Sequence, residues 1–154
     1  GLPSIIARMS SQDAGRRSIA AGLTYLLRSL DLSPDGIDDI GYNDDAFMLR
    51  LAAEPAGTGG TTDATVGRLA ADCALIREFL GADYARLDSY VRGLDKGVAR
   101  NRSVDRLVAD EATLGEFVRD IRAFARSYRP PAFGREEKNL VKLKAFFDAR
   151  LPRG

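Results

Sequence analysis

The sequence predicts an all-α protein, a single domain built as a bundle of about six or seven helices. Two observations carry this: nearly every apolar segment repeats at three- and four-residue spacing, and none alternates apolar with polar over a useful length. A third is size and composition. The 154 residues, 45% apolar and 29% charged, suit one globular domain rather than a disordered chain.

The elements follow in order. Ile19, Leu23, Leu26, Leu27 and Leu30 form one stripe of a helix from about Ala14 to Leu30. Ser33 and Pro34 make a cap followed by a first-turn proline, and Gly36 and Gly41 let the chain bend around that short turn. Asn43 or Asp44 caps the next helix, whose apolar side is Phe47, Met48 and Leu51; Pro55 is expected to end it near Glu54. Residues 56–62, Ala-Gly-Thr-Gly-Gly-Thr-Thr, read as a flexible surface loop. Asp63 starts a helix striped by Val66, Leu69, Cys73, Ile76 and Leu80 and stopped by Gly81.

A further helix carries Tyr84, Leu87, Tyr90, Val91 and Leu94, with Gly93 and Gly97 at its end. Ser103 caps a short segment through Ala109. Leu114, Phe117, Val118, Ile121, Ala125 and Tyr128 form the cleanest stripe in the chain, halted by Pro130 and Pro131. The last helix uses Leu140, Leu143, Phe147 and Leu151, and its other face is charged.

Composition narrows the chemistry. With no histidine, the chain lacks the commonest general base and the commonest transition-metal ligand. Cys73 is the only cysteine, so there is no internal disulfide and no cysteine zinc site. Its place on a buried stripe reads as a small hydrophobe. No Gly-rich loop ends in Lys-Ser/Thr, and no spacing fits the calcium-loop template. An enzyme is therefore not the expectation. The longest strongly apolar stretch, Ile19 to Leu32, contains Arg28 and is shorter than the ~20 residues of a spanning helix. No signal-peptide pattern is read, and a cytoplasmic location is expected. Charge is uneven: residues 1–54 carry −3, 55–95 carry −2 and 96–154 carry +6. Such opposite ends can attract each other within a fold or across a homodimer, and +6 is modest for nucleic-acid binding.

The aspartate-rich turn concentrates the candidate chemistry. Tyr25-Leu26-Leu27, then Asp31-Leu32-x-Pro34-Asp35, then Gly41-Tyr42-x-Asp44-Asp45 resembles the YkvA-like family of bacterial domains of unknown function, over about residues 17–53. The resemblance implies an apolar helix, an aspartate-rich turn and a second apolar helix, with no assigned reaction and no catalytic residues. Ser33, Gly36, Asp38, Asp39 and Asn43 stand where that family is apolar or has proline, so peripheral membrane contact is not expected of this chain.

Two readings of Asp31, Asp35, Asp44 and Asp45 follow from their chemistry. Carboxylates at helix starts and in tight turns accept from backbone N–H groups and meet the positive end of a helix dipole, so the four can clamp a helical hairpin. In that reading Asp31, placed past a helix end, caps a neighbour or pairs with Arg28 or Arg50. Alternatively, the four converge as oxygen ligands for Mg²⁺, Mn²⁺ or Ca²⁺, giving a carboxylate centre, hydrolytic in its strongest form. The clamp is the preferred reading, with no cofactor. Separately, Arg119, Arg122, Arg126 and Arg129 recur at helical spacing and offer a stripe for an anionic partner, with Glu116 and Asp120 close enough to neutralise it. The leading functional expectation is a non-enzymatic helical module acting through protein–protein contact, including self-association.

Overall fold

In the computed structural model, α2 (Ala14–Tyr25) and α3 (Asn43–Thr58) form the spine of the fold. The structure describes residues 2–10, 13–27, 43–59, 63–128 and 137–153. Around the spine lie α1 (Leu2–Ile6), α4 (Ala64–Leu80), α5 (Asp83–Gly93), α6 (Val104–Ala109), α7 (Glu111–Ser127) and α8 (Glu137–Arg150). A 3-10 turn at Leu94–Lys96 follows α5. The fold is all-α, as the periodicity predicts, with α1 added to the expected set. Among the described residues no helix is long and apolar enough to cross a membrane.

Sequence cues place most helix ends. The Asp63 side chain accepts from the N–H groups of Thr65 and Val66 at the start of α4, and Asp110 does the same for Ala112 and Thr113 of α7. Ser103 accepts from Arg106 N–H to start α6. Gly81, at φ 57°, ends α4. Arg28–Leu30, the Ser33–Pro34 turn and Pro130–Pro131 lie outside the described residues.

The spine is an antiparallel hairpin held at close quarters. A methyl group added at Gly15 would stand 2.5 Å from the Ala56 Cβ, and one at Gly22 would stand 2.6 Å from the Ala52 Cβ. Such separations admit only glycine, so both positions set how closely the two helices approach. The predicted one-sided stripe of α2 proves to be half of its burial. Ile19, Leu23 and Leu27 face a cluster with α1, α6 and α7, while Ala20, Ala21 and Tyr25 face a second cluster with α3, α4, α5 and α8. A helix packed between two cores carries small and apolar residues on both of the sides it buries.

Pro55 does not end α3, which runs on to Thr58. Proline removes one N–H donor, but packing keeps the following turn helical: Ala56 is buried against Gly15, and Gly57 abuts Ala70 of α4. Ala56–Thr58 are thus helix rather than the start of a flexible loop; Gly60–Thr62 lie outside the described residues. Two other features depart from expectation. Val98–Ala99 pairs antiparallel with Arg102–Ser103, joined by Arg100 and Asn101 at φ 48° and 62°. Positive φ at both central residues is the backbone of a two-residue hairpin turn, in which Asn is favoured and Arg is not. Strands of two residues are too short for alternation to be read from sequence. In α8 and just past its end, Leu143, Phe147 and Leu151 are buried as predicted, whereas Leu140 is exposed.

Candidate functional site

Two of the four predicted aspartates lie in the first turn of α3, where carboxylates oppose the helix dipole favourably. Both are buried, Asp44 at 1% exposure. The Tyr25 hydroxyl, at the carboxyl end of α2, donates to Asp44 Oδ2 at 2.7 Å within the buried region. Asp44 therefore ties the end of α2 to the start of α3, the geometry of a hairpin clamp. Asp31 and Asp35 lie outside the described residues, so their relation to Asp44 and Asp45 does too. Among the described residues no three acidic or cysteine side chains group as a cation site. Arg50 donates through Nε to Asp72 Oδ2 at 2.9 Å and through Nη1 to the Ala46 carbonyl.

On α7, Arg119, Arg122 and Arg126 are exposed and Arg129 lies outside the described residues. Arg122 donates to Ser4 Oγ at 2.8 Å, which fastens α7 to α1. Their acidic neighbours engage the hairpin: Asp120 accepts from Arg102 at 2.7 Å and lies 3.7 Å from Arg100, while Glu116 lies 3.8 Å from Arg102. The Arg102 hydrogen bond holds the Asp120 carboxyl below the ordinary aspartate range. The α7 surface is thus a mixed ionic face, not a uniform cationic track. Beside it runs a groove of about 320 Å³ walled by Leu26, Leu49, Ile121, Phe124 and Tyr128, with Asp45 and Arg50 supplying its charges. Of the predicted residues that are described, only Asp45 lines it.

A polar knot joins α3, α4 and α5. The Tyr84 hydroxyl donates to Glu54 Oε2 at 3.1 Å and accepts from Arg77 Nη2 at 3.1 Å, and the Arg77 guanidinium lies 4.4 Å from the Tyr84 ring centroid. Burial, then the Glu54 charge, push the phenol up to about 12. The same two causes, in the same order, push the buried Cys73 thiol up to about 12. At neutral pH both groups stay protonated, so neither is a ready nucleophile or base. The knot binds helices to each other.

No protein-family model, curated protein or solved structure matches the chain.

The described surface carries a further feature on α4, missed in the sequence. The outward side of α4 exposes Gly67, Ala71, Ala74 and Leu75, with Leu75 67% exposed. Arg68 and Glu78 flank them and have no ion-pair partner among the described residues. Other charges on this helix are engaged, Asp72 with Arg50 and Arg77 with Glu54. The signal was present: residues 67, 71, 74 and 75 repeat at helical spacing opposite the Val66–Leu80 stripe. Small residues hide it, because alanine and glycine weigh little in an apolar count.

Proposed function

We propose that this protein is a non-enzymatic helical module that works by binding another protein chain through the outer face of α4, and that it acts in the cytoplasm. The observation that carries this is the contiguous outward face of Gly67, Ala71, Ala74 and Leu75, with Leu75 67% exposed, on a helix whose inner side carries the buried Val66, Cys73, Ile76 and Leu80. Chemistry elsewhere supports it: the buried titratable groups Cys73 and Tyr84 are held in their neutral forms. The reading includes kinship with the YkvA-like family over residues 17–53, supported by the Tyr25–Asp44 bond, which joins the first and last parts of the resembling motif. It includes no resident cation, so Mg²⁺, Mn²⁺ or Ca²⁺ should leave the melting temperature unchanged; a clear upward shift would count for a carboxylate centre.

The test is site-specific photocrosslinking. A photoreactive phenylalanine analogue is placed at Leu75 in the protein's own cells, with Ala123 on exposed α7 as the control position. A discrete protein adduct from position 75, absent from position 123, is expected. No adduct from position 75 overturns the reading.

A further inference from the structure

We infer that the occupant of the α4 face is a second copy of this chain, laid antiparallel across it in a two-fold symmetric dimer. The inference rests on the interaction reading above and adds the identity and orientation of the partner. Its basis is the placement of charge. Ala71 and Leu75 lie two residues either side of position 73, and Arg68 and Glu78 lie five residues either side of it. All four are exposed on the same side of α4. An antiparallel copy centred at position 73 brings Leu75 to the level of the partner's Ala71. It also brings Arg68 to the level of the partner's Glu78, and symmetry repeats both contacts.

The face is thus complementary to itself in one orientation. Antiparallel packing sets opposite charges at matching heights, whereas parallel packing sets Arg68 at the height of the partner's Arg68. Two-fold interfaces require this kind of self-complementarity, in which one patch serves both protomers. Gly67, Ala71 and Ala74 let the helix axes approach closely enough for Leu75 to be covered. Arg68 and Glu78, without ion-pair partners among the described residues, would gain them at the rim.

Charge exchange tests both partner and orientation. Sedimentation velocity across a concentration series should show a wild-type dimer. Arg68→Glu and Glu78→Arg should each weaken it by at least about tenfold, because each places like charges opposite one another at both ends. The Arg68→Glu/Glu78→Arg double variant should dimerise again, and so should an equimolar mixture of the two single variants. Both positions are exposed, and circular dichroism checks that each variant keeps its helix content. A wild-type chain that stays monomeric, a dimer indifferent to either single exchange, or a mixture that fails to reassociate would overturn the proposal. A monomer that still crosslinks from position 75 to a different protein would sink the dimer and leave the interaction reading standing. Loss of both signals would remove the two together.

Discussion

At the residue scale, the side chains that organise helix starts are also the ones whose loss should be measurable. Tyr25→Phe removes the hydroxyl that donates to Oδ2 of the buried Asp44 carboxylate, and chemical denaturation should record a loss of about 1–3 kcal/mol. Asp110 should contribute to the acid limit. Its hydrogen bonds from the Thr113 side chain, then from the Thr113 backbone, hold its carboxyl below the ordinary range. A depressed carboxylate contributes stability that is intact above about pH 4 and lost as pH falls towards its folded-state value. Melting temperature followed from pH 5 to about pH 2 should therefore drop less steeply in Asp110→Asn, which keeps a capping oxygen but cannot titrate. Equal slopes in the two proteins would show that Asp110 contributes nothing to the acid limit. Asp44 was legible as a helix-start residue because that role depends on residues just ahead of it. Its partner Tyr25 was not, since nineteen residues separate them and only the hairpin brings them together.

Among the elements, α8 and the α2–α3 hairpin depend on contacts of different kinds. Arg86 of α5 donates to the Asp148 carboxylate, to the carbonyls of Asp148 and Leu151, and to Asp83, closing the carboxyl end of α8. Arg86→Ala should speed amide hydrogen exchange in residues 143–151 before exchange in α2 or α3 changes; a uniform rise across all helices would contradict a local clamp. The hairpin is limited by space. Gly22→Ala forces a methyl into the Ala52 side chain, and a loss of about 1–3 kcal/mol is expected on denaturant unfolding, against the gain that helix propensity alone would give. The small hairpin at Arg100–Asn101 offers the opposite case. Replacing the pair by Asn-Gly suits a turn with two positive φ angles and should raise the melting temperature.

For the whole molecule, the proposed dimer makes stability depend on concentration, and its rim charges make association depend on salt. Raising ionic strength from about 0.1 M to about 1 M shortens the Debye length from about 10 Å to about 3 Å, so dimerisation should weaken across that range if Arg68 and Glu78 contribute. What the sequence by itself determined was where the long helices run and how several of them start. Three- and four-residue periodicity, Asp63 and Ser103 as caps, and Gly81 as a stop all act within one or two turns of chain. Tertiary structure decided what the small residues mean. Gly15, Gly22, Ala52, Ala56 and Gly57 are contact points between helices, and in α3 they carry the helix past Pro55 where local rules end it. It also decided that α2 lies between two cores, and that the second stripe of α4 faces outward. Periodicity shows that a face exists; which neighbour covers it depends on chain that is distant in sequence, because the gain from burial belongs to a pair of surfaces and not to either one.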